Sequence, residues 1–371
     1  MYNKVDLIFH AAADVRFQEK LQTLIMINLR GTRELLRLLE NFKKLQMFTY
    51  ISTAYSNCPK GRNIYEKFYD YPIEPDTLIT LAERICNNVD ELANFDAMTE
   101  LIIKPWPNTY TYTKSLSEEL VRRYGEKFPI VLIRPSIVIS THKEPIPAWA
   151  NNIYGYNGIL VASGVGLMRT APLKKNIVGD IVCADFVINS TLAAMWARHE
   201  ELKFSRTPSA KILWVTCLNA TTNSFLWIYY NVLFHFLPSL VLDAGLKLSG
   251  SPLRILPGTR KIKIFLNSLI YFMQHEWIFD NSNMRSVIDS MSSIDQKLFT
   301  CDLRKFDLDP WIETYMAGLR LYIVGENLHA RSDEIGRRRF KRKRILHYFL
   351  QAAYYSLNIS IIYGLAKAVP V

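Results

Sequence analysis

The chain has 371 residues, 49% of them hydrophobic, with a mean hydropathy of +0.02 and a formal net charge of +11. That length leaves room for two domains and a sizeable core, and that hydropathy excludes both a disordered chain and a multispan membrane protein. Five scattered cysteines without a CxxC pair or a His cluster exclude a zinc site and a disulfide framework, and suit a reducing compartment.

No secretory signal opens the chain; residues 5–10 (VDLIFH) read as a short buried strand running into Ala11, Ala12 and Ala13. A helical pattern follows over about 18–43, with Leu21, Leu24, Ile25 and Leu35, Leu36, Leu38, Leu39 as apolar stripes. Phe48 to Ser52 is a second strand. Residues 58–108 are polar and Pro-punctuated, with one helix expected near 77–103. A helix over about 109–126 feeds a strand, Ile130 to Ile133. Strand alternating with helix predicts a parallel α/β sheet with right-handed crossovers. A helical run is expected around 185–198 and a buried strand at 212–217. Residues 225–242 carry no formal charge but include His235 and Pro238, so a membrane-dipping hairpin and a buried helix both fit. Residues 260–330 are mixed and helical. Seven Lys/Arg residues lie between Arg337 and Arg344, and the uncharged stretch 345–366 after them is long enough to span a bilayer. A basic run beside an apolar segment points to a membrane surface rather than to nucleic acid.

The sharpest chemical signal is Pro107-Asn108-Thr109-Tyr110-Thr111-Tyr112-Thr113-Lys114-Ser115. Tyr110 and Lys114 stand four apart on the expected helix, so both project from one face. A phenol titrates near pH 10, and an ammonium beside it lowers that value, making a general acid for a carbonyl oxygen as hydride reaches the carbon. Any Tyr and Lys on a surface helix match the same spacing, so context decides. Ser52 and Thr53 follow a strand, where open α/β sheets bind ligands, and their hydroxyls can reach the Tyr and the substrate carbonyl; merely closing a turn is the plainer role for them. Ala11, Ala12 and Ala13 let a cofactor approach the backbone. Asn28 leads to Gly31 in mid-helix, where a glycine costs roughly 1 kcal/mol against alanine and so suggests close packing. Arg134, Pro135 and Ser136 end the next strand. These blocks occur in the order of an extended short-chain dehydrogenase/reductase.

The blocks His10-Ala11-Ala12-Ala13-Asp14-Val15-Arg16-Phe17, Ser52-Thr53-Ala54-Tyr55 and Tyr110-Thr111-Tyr112-Thr113-Lys114 resemble those of fatty acyl-CoA reductases. So do Pro145 to Asn152, Gly158-Ile159-Leu160, His275-Glu276-Trp277-Ile278-Phe279-Asp280-Asn281 and Asp302 to Trp311, the last two in the family's male-sterility domain. The resemblance covers roughly residues 4–328. It implies Tyr110 as proton donor, Lys114 as its activator and cofactor contact, and Thr53 or Ser52 as the hydroxyl partner. It implies cofactor contacts at Ala11, Ala12, Ala13, Asn28, Lys114, Arg134, Pro135 and Ser136, and no metal. The implied reaction takes a long-chain acyl-CoA through an aldehyde to a primary alcohol at the expense of NADPH, of the kind that supplies wax or pheromone-type alcohols. Cys58 lies near the site, but no His base accompanies it, and a structural role is expected.

Two features depart from the family. A Gly-rich turn of TGxxGFxG type, which holds a cofactor pyrophosphate, does not occur; the first strand matches the family's fourth, a gap on the order of 100 residues at three strand–helix units. The expectation is a fragment or incomplete gene model whose apolar first strand is an exposed edge and which does not bind NADPH tightly. Val182-Cys183-Ala184-Asp185 lacks the Pro that the family more often has after the Val. The fold class expected is therefore α/β, an incomplete Rossmann-type doubly wound parallel sheet (1–222), then a mainly helical domain (223–330), then a basic stretch and a C-terminal transmembrane helix (331–371). The tail would anchor a cytosolic body to the endoplasmic reticulum or peroxisome; the oligomeric state stays open. Two other readings remain: a reductase of sterol or sugar ketones, and a non-catalytic membrane-bound pseudoenzyme.

Overall fold

The computed structural model describes residues 4–172, 174, 178–194, 219–220, 224–249, 252, 255–326, 334–349 and 356. Three parallel strands, β1 (Leu7–His10), β2 (Met47–Ile51) and β3 (Ile130–Ile133), form a sheet in the order β1-β2-β3. The register pairs His10 with Tyr50 and Ile51 with Ile133, so all three strands end at one rim. The helical stretch after β1 begins at Leu21–Leu24, widens to π geometry over Ile25–Arg30 and returns to α geometry over Gly31–Leu38; together these are α1. Its apolar stripe, Leu21, Leu24, Ile25, Leu29 and Leu36, is fully buried, each side chain worth about 1.5–3 kcal/mol of transfer free energy. The same core takes Phe48 and Tyr50 from β2 and Tyr112, Leu116 and Leu120 from α2 (Thr109–Gly125). The parallel strands and the helices between them make a Rossmann-like α/β body.

The single helix expected near 77–103 is three: Pro75–Ile85, Val89–Ala97 and Thr99–Ile103. Asn88 accounts for the first break, since its side chain caps Asp90 N–H and Glu91 N–H, each at 3.2 Å. Gly31 needs no close neighbour: it is exposed, and a Cβ there would meet nothing nearer than the Met26 carbonyl oxygen at 3.9 Å. β1 is bonded along one edge among the described residues, and Leu7 and Phe9 on it are each 47% exposed.

Contacts divide the chain into two interleaved units, 1–139 with 176–200 and 267–306, and 140–175 with 201–266 and 307–371. The first also holds a parallel pair, β4 (Ile137–Ile139) with β5 (Ile181–Cys183), which leads into α3 (Ala184–Ala193). In the second unit the chain is mainly helical. α4 runs from Ser224–Asn231 through a π turn, Val232–Phe236, to Leu237–Leu248, and α5 begins at Leu256. Gly318 lies directly against Ala148, where a Cβ would fall 2.1 Å from the carbonyl oxygen, so no larger residue fits there. The strand expected at 212–217 lies outside the described residues. So does most of the expected transmembrane stretch: residues 334–349 are helical, while 350–355 and 357–371 are not described. Among the described residues no helix is long and apolar enough to cross a membrane.

Candidate active site

The site is built at the rim where the strands end, the side on which open parallel sheets bind ligands. Asn108 sets the start of α2: its Oδ1 accepts from Thr111 N–H at 2.9 Å, an N-cap typically worth about 1 kcal/mol. That cap places Tyr110 in the first turn and Lys114 one turn on. Tyr110 has the Thr53 side chain beside it and stacks on Phe17 with ring centroids 5.7 Å apart. Burial pushes the phenol up to about 12, with the Thr53 bond opposing the rise. The group therefore stays protonated at neutral pH.

Lys114 is 2% exposed. Its ammonium donates to the Ile51 carbonyl at 2.7 Å and to Tyr50 Oη at 3.2 Å, and lies 4.6 Å from the centre of the Tyr50 ring. Burial lowers its pKa from 10.5 to about 8, and Glu118 pulls the other way. The expectation that Lys114 lowers the Tyr110 pKa is not what the geometry gives. The ammonium is aimed across α2 onto β2, and desolvation rather than a neighbouring cation sets the state of Tyr110. Tyr50, which no motif singled out, is the residue between: its hydroxyl also bonds Ser117 and Thr32, and His10 Nε2 meets Thr32 Oγ1 at 2.8 Å. Burial, and secondarily the Lys114 charge, bring His10 down to about 4, so it is neutral.

Of the two hydroxyls offered as partner of Tyr110, Thr53 is beside it and Ser52 is not. Ser52 Oγ donates to Glu118 Oε1 at 2.5 Å. Glu118, 3% exposed, also accepts from Ser56 Oγ at 2.8 Å, from Asn57 Nδ2 at 3.1 Å and from Arg134 through Nε at 3.0 Å and Nη2 at 2.8 Å. Arg134 further donates to the carbonyls of Tyr65 and Lys67. The guanidinium is thus engaged by Glu118 and two carbonyls. Asn28 is likewise engaged within the protein. Its Oδ1 accepts from Asp14 N–H at 2.8 Å, and its Nδ2 donates to the Asp14 carbonyl at 3.0 Å and to Thr113 Oγ1 at 3.3 Å. The side chain pins the loop after β1 to α2. Ala11 and Ala12 are exposed at the rim, and Ala13 is partly so. Pro135 and Ser136 line a cavity of about 1070 Å³ whose wall also includes Arg134, Asp180 and Asp280.

The segment around His275 to Asn281 belongs to this same unit. Tyr55 stands edge-on to Phe272, Trp277 and Phe279, each with centroids 5.2–5.3 Å away, and Trp277 Nε1 donates to the Cys58 carbonyl at 3.1 Å. Phe272 also meets Phe17, 5.4 Å between centroids, so the ring that stacks on Tyr110 is itself held by this cluster. Cys58 is buried and its thiol is pushed up to about 12 by desolvation, as a structural cysteine would be.

A family model described as male sterility protein, of the NAD-binding type, matches residues 1–191, and a second one of the same description matches residues 234–326. Fatty acyl-CoA reductase 1 of Xenopus laevis is 33% identical over 352 residues, covering 87% of this chain and 67% of the relative. Fatty acyl-CoA reductase wat of Drosophila melanogaster is 32% identical over 98% of this chain and 74% of its own length. The chain belongs to the fatty acyl-CoA reductase family. Fatty acyl-CoA reductase 2 of Homo sapiens is similar to the same degree, 32% over 94% of the chain and 72% of the relative. The part that carries Tyr110 and Lys114 is the family's NAD-binding domain, and a nicotinamide cofactor is its redox partner.

The buried ammonium makes a pH prediction with two opposite signs. A rate that needs Lys114 charged falls as pH rises past about 8, in kcat/KM, which reports the free enzyme. Stability moves the other way. The folded state releases the Lys114 proton near 8 and the unfolded chain near 10.5, so between those values the unfolded chain binds more protons and the contribution of Lys114 to stability rises with pH. Measured together from pH 7 to 10, kcat/KM is expected to decline while the Lys114→Met variant loses the wild-type pH dependence of its unfolding midpoint in that window.

Proposed function

We propose that this chain reduces long-chain fatty acyl-CoA to fatty alcohol with NADPH. The observation that carries the reading is Tyr110 in the first turn of α2 beside the Thr53 side chain at the strand-end rim, one helical turn from a buried Lys114, in a member of this family. The donor set suits a nicotinamide cofactor in part. Lys114 spends two of its three N–H groups on Ile51 and Tyr50, and the small side chains of Ala11 and Ala12 leave backbone open at the rim. Those residues would hold the cofactor, which supplies hydride when bound. Tyr110 gives its proton to the thioester oxygen as that oxygen takes up negative charge, and Thr53 orients the phenol. The resulting hemithioacetal releases CoA as a thiol. A second round needs a second reduced cofactor for its hydride and Tyr110 reprotonated from solvent; Tyr110 then protonates the aldehyde oxygen, leaving a primary alcohol.

The membrane part of the proposal places the body on the cytosolic side of the endoplasmic reticulum or peroxisome, held by residues 345–366 behind the basic run 337–344. Positive residues stay on the cytosolic side of an inserted segment. The test of the reaction is incubation with acyl-CoAs of several lengths and either NADPH or NADH, with extraction of the lipid products. A primary alcohol formed faster with NADPH is expected. Absence of both alcohol and aldehyde with either cofactor would sink the proposal.

A further inference from the structure

Helix α4 is turned inside out. Residues 224–242 contain no Asp, Glu, Lys or Arg. The side chains four apart along its inner face are Trp227, Asn231, His235 and Ser239, and of these Trp227, His235 and Ser239 are 9%, 7% and 2% exposed. Polar contacts hold this face: Arg169 N–H donates to His235 Nε2 at 3.0 Å, and His235 Nδ1 meets Asn231 Oδ1 at 3.3 Å. The outer face is Ile228, Val232, Phe236, Leu240, Val241 and Leu248, exposed by 53, 43, 42, 47, 70 and 91%. A helix that borders water carries the opposite polarity, apolar inward and polar outward. The pattern suits an apolar medium on the outside.

Charge narrows the medium further. Lys247, Arg260, Lys261 and Lys263 are all exposed around the end of α4 and the start of α5. Asp243 is the only acidic residue between 224 and 274. Its carboxylate is spent on the N–H groups of Ile255 at 2.6 Å and Leu256 at 3.1 Å, which ties the start of α5 to α4. Within 224–274 the exposed charges beside the apolar face are thus cationic. A second copy docked face to face would set these cations against their own counterparts. We infer that the outer face of α4 is a docking surface for an anionic phospholipid bilayer, with the helix lying in the plane of the interface. Apolar side chains enter the acyl boundary there while the flanking Lys and Arg meet lipid phosphates. The inference is independent of the reductase reading and of the tail.

The test is co-sedimentation of the full chain with phosphatidylcholine vesicles, with and without phosphatidylserine. Binding is expected to be stronger to the anionic vesicles. Combined Ile228→Glu, Val241→Glu and Leu248→Glu substitutions are expected to lower the vesicle partition coefficient by about tenfold or more. Lys261→Glu with Lys263→Glu, which replaces no buried residue, should lower the preference for anionic vesicles and guards against a misfolded triple variant. Wild-type-level binding by both variants would place the lipid contact elsewhere and overturn the inference. A wild-type dimer that becomes a monomer in the triple variant, with no vesicle binding by either, would overturn it in favour of a second copy.

Discussion

Tyr110→Phe is expected to lower kcat for alcohol formation by about a hundredfold to ten-thousandfold, the usual worth of a positioned general acid. The ring is kept, so its stacking on Phe17 survives and the unfolding midpoint should stay close to the wild type. Only the hydroxyl, which has the Thr53 side chain beside it, is lost. Because the proton is needed in the transition state and not for substrate binding, KM should change far less than kcat. The measurement is steady-state kinetics on one acyl-CoA, together with a denaturant midpoint for both proteins. A variant that keeps a tenth or more of wild-type kcat would remove Tyr110 from the role of acid. Thr53→Val gives a smaller companion effect, since it leaves the acid and removes only the bond that aims it.

The route from sequence to this site was uneven, and the reasons are physical. Short apolar runs placed the three sheet strands to within two residues, because strand-length runs bounded by turn residues alternate with helices whose period of 3.6 is equally plain. Tyr110, Thr53 and Lys114 could be nominated because their spacing on one helix and one strand end is local. What spacing does not reveal is direction. Lys114 reaches across to Tyr50 and Ile51, a contact between residues 63 and 64 positions apart. Arg134 follows a strand and Asn28 lies in mid-helix as expected, and each is held by backbone or carboxylate partners that spacing does not reveal. Glu118 was missed although it is one further turn along the same helix face as Lys114. A carboxylate on a helix ordinarily faces water, and only the burial of this one marks it.

That buried carboxylate gives the second large effect. Glu118→Gln removes the charge that five donors share, from Ser52, Ser56, Asn57 and the two nitrogens of Arg134. Burial disfavours the Arg134 guanidinium charge, and Glu118 is what holds it. Breaking a buried pair on one side typically costs about 3–5 kcal/mol, since the remaining charge is left without compensation. Glu118→Gln is therefore expected to lower the unfolding free energy by about that much, and Glu118→Gln with Arg134→Met to recover a substantial part of it. The same carboxylate opposes the depression of the Lys114 pKa, so its loss should move the alkaline fall of kcat/KM to a pH below that of the wild type. It also frees the segment that positions Thr53, through Ser52 on one side and Ser56 on the other. A single variant thus tests whether stability and proton transfer depend on one group. If the denaturant midpoint falls while the alkaline limb stays in place, Glu118 is a structural tie without influence on the ammonium. If both move, the Ser52–Thr53 turn, the Lys114 ammonium and the Arg134 strand end are held by one carboxylate.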